Sequence, residues 1–144
     1  MVEVKKTNQF NRVYQDAQAI RKSVFVKEQG IDETLEFDGT DGDATHYVAY
    51  DQHRPVATAR ATVTGEGVHI QRVATLKMYR HKGFAKQLLK AILNDPKYKG
   101  ETNFYLGAQE TAKGLYETLG FKQYGDPFME VGIKHVNMKK SVRN

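Results

Sequence analysis

The chain has no cysteine, no tryptophan, only three prolines and no long apolar run. Without cysteine there are no disulfides, no thiolate metal ligands and no cysteine nucleophile. No segment approaches the roughly 18 apolar residues of a membrane span. The first ten residues, MVEVKKTNQF, hold no apolar stretch of a secretory signal. The expectation is a cytoplasmic chain with no membrane partner. The Walker pattern G-x-x-x-x-G-K-[ST] is missing, and only one glycine falls in the spacing of a dinucleotide-binding fingerprint. The histidines show no H-x-x-x-H spacing, so no metal is expected. The acidic run Asp32–Asp43 departs from a calcium loop. Counted from Asp41, its sixth position is His46 instead of glycine and its twelfth is Gln52 instead of glutamate. It reads as a solvated loop, or as a rim that attracts a cationic partner.

What is present suits one folded domain spanning residues 1–144, with 40% hydrophobic and 27% charged residues. The formal net charge of +5 favours anionic partners, among them nucleic acid, acidic lipid or a phosphorylated cofactor. Charge is segregated: Asp32–Asp43 is acidic, whereas Lys77–Lys90 and the terminal KKSVRN are basic. No helix-turn-helix, RNP or zinc pattern accompanies the basic residues, so nucleic acid is not expected as a partner.

Periodicity orders the elements. VEVKK alternates like a strand. Phe10, Val13, Ala17, Ile20 and Val24 then recur at helical steps behind a cap at Thr7 or Asn8, in a helix closed at Gly30. Three strands follow, Thr45–Asp51, Val56–Val63 and Val68–Thr75, separated by the short turns QHRP and GEG. A helix from Gly83 to about Asn94 precedes a fifth strand, Thr102–Ala108. A short helix, Glu110–Gly120, leads through FKQYGDPF to one last strand, MEVGIKHVNMKK. The order β α β β β α β α β predicts an α/β fold, a mixed and mostly antiparallel sheet with helices on both faces.

One stretch carries chemistry. In YRHKGFAKQLL a glycine opens a helix beside Arg80, Lys82 and Lys86. A helix N-terminus leaves backbone N–H groups unpaired and partially positive, and Gly83 and Ala85 add no bulk over them. The pattern suits a diphosphate. A glycine-started helix with a solvated basic face would read the same way, and R-x-x-G-x-A alone does not decide between them.

Arg80, Gly83 and Ala85 match the Q/R-x-x-G-x-G/A loop of the GCN5-related N-acetyltransferases, and AKGLYETLGF at Ala112–Phe121 matches that family's later A…YE.LGF helix. The spacing of the two, and the element order over nearly the whole chain, resemble the family. IRKSVFVKEQG and VGIKHVNMKK are similar to a small bacterial subgroup of it. The resemblance implies acetyl-CoA as cosubstrate, a primary amine of a small molecule or peptide as acceptor, and direct transfer. It implies a diphosphate seat on His81, Lys82, Gly83, Phe84, Ala85 and Lys86 with Arg80. The pantetheine arm would lie along Arg72, Val73, Ala74 and Thr75, and Gln109 would also bind the cofactor. A backbone N–H near Val73 or Ala74 would serve as oxyanion donor, and Tyr116 as proton donor to the leaving thiolate. The base stays open among His69, Glu28, Glu130, His135 and water. Family members often pair, which leaves a homodimer open. The alternative is a degenerate acyl-CoA-binding sensor or interaction module.

Overall fold

The computed structural model describes residues 2–142, so the last two residues of the basic tail, 143 and 144, lie outside the described residues. Strand β1, Val2–Thr7, pairs antiparallel with β2, Thr45–Asp51. β2 pairs with β3, Arg54–Thr64, through a turn whose Gln52 and His53 take positive φ angles of 50° and 69°. Such a turn carries the right-handed twist of its strands into the hairpin. β4, Gly67–Thr75, follows antiparallel to β3 and runs parallel to β5, Asn103–Gln109. The sheet closes with β6, Lys122–Glu130, and β7, Ile133–Ser141, giving the order β1-β2-β3-β4-β5-β7-β6.

The sheet is buried on both faces near its centre, as β2 shows by alternation. Tyr47 and Ala49 face one core, which includes Leu88, Leu89 and Ile92 of helix α3, Phe84–Leu93. Val48 and Tyr50 face the other, with Ala17 and Ile20 of helix α1, Arg12–Arg21. Small Ala57, Ala59 and Ala61 on β3 make room within the first core. Helices on both faces of a mixed sheet are what the sequence predicts.

Three local expectations change. The first helix is capped by Asn11, whose side chain accepts from the Tyr14 N–H at 3.3 Å, and not by Thr7 or Asn8. Thr7 ends β1 and accepts from the Asn11 amide at 2.7 Å, while Phe10 is exposed ahead of the helix. Residues Lys22–Glu28 continue α1 as a π-helical segment, an uncommon geometry that often marks function. The expected single last strand is a hairpin: β6 and β7 join at Val131 and Gly132, with φ of 47° and 76°. Gly125, Asp126 and Pro127 bulge out of β6, and that edge position tolerates the proline.

The acidic run is not a solvated loop. It forms helix α2, Glu33–Glu36, and a helical turn, Asp41–Asp43, and it buries Glu36 and Asp41. Arg21, 1% exposed, donates through Nε to Glu36 at 2.8 Å and through Nη1 to both Asp41 oxygens at 2.9 Å. Arg60 donates to Asp41 at 2.7 Å and the Tyr14 hydroxyl donates to it at 2.6 Å. The His46 Nε2–H points to the Asp41 carbonyl oxygen at 3.0 Å. Buried charge persists only when paired and hydrogen-bonded, and this cluster does both.

Candidate active site

β4 and β5 touch only at their start. Their parallel pairing covers Val68 with Phe104 and His69 with Tyr105, and a Cβ on Gly67 would collide with the Asn103 carbonyl oxygen. Glycine there permits the close approach. Farther along, β4 leaves the ladder. Gln71 faces Arg60 and Ala74 faces Thr58, so Arg72 and Val73 together oppose Ala59. This is a β-bulge, and Arg72 holds a φ of 56° in it. A strained, non-glycine conformation needs its surroundings to hold it. The acidic segment does so: Arg72 Nε lies 3.0 Å from Glu36 Oε2, and Nη2 lies 3.8 Å from Asp38. The bulge tilts β4 away from β5 and opens a wedge between parallel strands.

Beyond β4 the loop reaches α3 through Gly83, whose φ of 83° favours glycine. The helical ladder begins where the Gln87 N–H donates to the Gly83 carbonyl at 3.0 Å. The amides of Phe84, Ala85 and Lys86 therefore precede any intrahelical partner. His81, Lys82 and Gly83 are exposed, and His81 has a φ of 63°. Phe84 leaves only its backbone at the loop, because its ring is buried in the core edge-on to Tyr79 at 6.2 Å.

A cavity of about 480 Å³ fills the wedge. Arg72 and Val73 of the bulge line it, with Gln109 at the end of β5 and Tyr116 on helix α4, Lys113–Thr118. Tyr116 is 5% exposed, and its ring meets Phe121 edge-on at 5.9 Å. Burial pushes its hydroxyl pKa up, so the group stays protonated. His69, Glu130 and His135 line the same cavity, as do Glu36 and Asp38. His69 stacks on Tyr105 with ring centroids 4.5 Å apart. Burial, and then the charge of Arg60, lower its pKa, which keeps the ring neutral near pH 7. His135 stacks on Phe128 and presents Nδ1 to the Ile133 carbonyl at 2.7 Å, so in the neutral ring Nε2 carries the lone pair, 3.8 Å from Glu130.

The sequence candidates thus separate. Arg72, Val73, Gln109, Tyr116, His69, Glu130 and His135 meet in one cavity, while Arg80 to Lys86 form the loop at the α3 N-terminus. Ala74 packs its side chain into the second core, and Thr75 offers its carbonyl to Arg80. Glu28 stands apart from the other base candidates. Both its oxygens accept from Arg80 at 2.6 Å, which with nearby Lys77 holds its carboxyl below the usual range. A carboxylate so engaged is a poor proton acceptor. Sequence reasoning missed Gln29 and Phe128 as cavity walls, and its reading of the acidic run as a rim covered Asp38 and Glu36 without the burial of Glu36. Arg60 was the available signal, a cation inside the apolar strand VATARATV that required a buried anion.

Among the described residues, no group of three or more His, Cys, Asp or Glu side chains could hold a metal ion, and no helix is long and apolar enough to cross a membrane.

A bulged strand, a parallel neighbour splayed from it and a glycine loop at a helix N-terminus define an acyl-group transferase of the kind the sequence resembles. Comparison with known proteins agrees. Residues 10–142 match the family described as "Acetyltransferase (GNAT) domain", and the chain belongs to that family. A Bacillus subtilis protein named as a candidate acetyltransferase is 43% identical over 124 residues, 84% of each chain. A crystal structure from Lactobacillus plantarum, described as a candidate N-acetyltransferase, superposes with a TM-score of 0.87 at 29% identity over 99% of each chain. An aminoglycoside 6′-N-acetyltransferase solved with coenzyme A shares the fold, with a TM-score of 0.75 at 14% identity over 99% of this chain and 98% of that one. Acetyl-CoA is the cosubstrate of the family.

Proposed function

We propose that this acetyltransferase moves the acetyl group of acetyl-CoA to a primary amine by direct attack, with no acyl-enzyme intermediate. The observation that carries the reading is the meeting of the β4 bulge, Tyr116 and neutral His69 in one cavity, on the strand whose end leads into the glycine loop. The loop fits a diphosphate, because Gly83 turns the chain without a side chain and the amides of Phe84, Ala85 and Lys86 lie ahead of the α3 ladder. Along the splayed part of β4, backbone groups of Val73 to Thr75 can pair with the amides of the pantetheine arm as an added strand would.

The chain's groups then divide the work. A Val73 or Ala74 N–H supports the developing oxyanion. As the amine nitrogen bonds to the carbonyl carbon, the carbon–sulfur bond breaks. Tyr116 supplies the proton the thiolate needs. The proton lost by the amine passes to His69, directly or through water.

Asp38, Glu130, Phe128 and Val131 line the cavity, and in this reading they meet the acceptor. Asp38 is held ionised, chiefly by the Thr40 hydroxyl, which donates at 2.7 Å. Glu130 is 63% exposed, with Oε2 3.8 Å from His135 Nε2. Two carboxylates over aromatic walls suit an acceptor with a cationic group besides its reacting amine. Asp38→Asn combined with Glu130→Gln is therefore expected to raise KM for such an acceptor about tenfold, as the loss of two partly exposed charge interactions of roughly 0.7 kcal/mol each implies. A panel of amines assayed by release of free thiol from acetyl-CoA tests the reading. Thiol release with monocationic and dicationic amines supports it; no release with any amine in the presence of bound acetyl-CoA contradicts it.

A further inference from the structure

The match to the family loop makes the Arg80 guanidinium a phosphate ligand. The structure commits that group elsewhere. Nη1 and Nη2 donate to the two oxygens of Glu28, each at 2.6 Å, and Nε donates to the Thr75 carbonyl at 3.0 Å. This is the two-pronged arginine–carboxylate geometry that fixes orientation as well as charge. A third bond runs along the same guanidinium to the end of β4.

Glu28 is the last residue of the π-helical segment, and its neighbour Gln29 reaches the other way. The Gln109 amide donates to the Gln29 side-chain oxygen at 2.9 Å, where β5 ends. One dipeptide thus touches both banks of the wedge, the loop after β4 through Arg80 and the end of β5 through Gln109. Nothing in an isolated α1 requires this. The π-helical winding of Lys22–Glu28 shifts the register of the residues that follow it.

We infer that Arg80 and Glu28 are positioning residues, a strut that holds the glycine loop for the acetyl donor, and that the diphosphate is met by the loop amides with Lys82 and Lys86. The inference rests on reading that loop as the coenzyme A seat. The two roles for Arg80 differ in sign. A phosphate ligand would be weakened by Glu28, which competes for the guanidinium and repels the incoming anion, so removing Glu28 would tighten binding. A strut loses its anchor with Glu28, so removing it loosens binding.

The experiment is a double-mutant cycle on coenzyme A affinity, measured by calorimetry for wild type, Glu28→Gln, Arg80→Gln and the double variant. Each single change is expected to weaken binding roughly fivefold, as the loss of a well-formed surface ion pair implies. The double variant is expected to bind no worse than either single one. Arg80→Lys, which keeps the charge and loses the fork, behaves like Arg80→Gln. With acetylpantetheine, which lacks the diphosphate, KM stays at its wild-type value in all variants. This readout separates a held loop from general loosening of the fold. Tighter binding by Glu28→Gln overturns the inference, as does equal loss from Arg80→Gln with and without Glu28, and in either case the coenzyme A seat stands. If wild type fails to bind coenzyme A, the seat itself falls and the strut with it.

Discussion

Tyr116→Phe is expected to lower kcat about a hundredfold while leaving the affinity for acetyl-CoA close to wild type. General acids contribute roughly 10²–10⁴-fold, and a thiolate whose conjugate acid has a pKa of about 8.5 is a good leaving group, which places the effect at the low end. Burial, the cause of the upward pKa shift, keeps the hydroxyl protonated across the neutral range, as a donor must be. The substitution keeps the ring against Phe121, so the loss isolates the hydroxyl. Steady-state thiol release at saturating acceptor, beside a calorimetric Kd for acetyl-CoA, checks it. An unchanged kcat, under conditions where chemistry limits turnover, would remove Tyr116 from the reaction.

The largest stability effect is expected at Asp41. Burial alone would raise its carboxyl pKa, yet the Tyr14 hydroxyl, then Arg21 and Arg60, outweigh that and bring it down to about 2. Asp41→Asn leaves two buried guanidinium groups facing a neutral amide. Breaking a buried pair from one side costs about 3–5 kcal/mol, or roughly 10 °C in Tm for a domain of this size. Asp43→Asn, two residues away and exposed, is expected to stay within about 0.5 kcal/mol of wild type. The pH dependence has a definite sign. A carboxylate with a lowered folded pKa contributes stability above its ordinary value of 3.8 and loses it as pH falls from there towards about 2. Thermal unfolding of both variants and wild type between pH 7 and 3 measures this. A Tm for Asp41→Asn within a degree or two of wild type would mean that the cluster does not hold the segment over the bulge.

That cluster marks where sequence reading stops. Helix α3 was legible because Phe84, Leu88 and Ile92 recur on one face behind a glycine, a local pattern that local physics enforces. The meander was legible from its turns. The glycine loop and Tyr116 were legible as motifs because each occupies a short run of chain. The misread acidic segment obeys long-range pairing instead. Asp41 meets Arg21 from 20 residues before it and Arg60 from 19 after it, too far apart for any local pattern to link the three. β6 was hidden by Gly125, Asp126 and Pro127, loop residues by composition that an edge strand accommodates as a bulge. The bulge at Arg72 left no trace at all, since an arginine in a strand says nothing about its φ. Its partner Glu36 became visible only when α2 folded beneath it.

The central claim is that the wedge between β4 and β5, with its glycine loop, binds acetyl-CoA. Calorimetric titration of the protein with acetyl-CoA tests it most directly, with ATP and adenosine 3′,5′-bisphosphate as controls. The account expects saturable one-to-one binding, weaker for both controls, and at about 100 times Kd a stabilisation of roughly 2.7 kcal/mol in thermal unfolding. No heat and no thermal shift at millimolar acetyl-CoA would contradict it, and would leave YRHKGFAKQLL as a basic helix start with no diphosphate to hold.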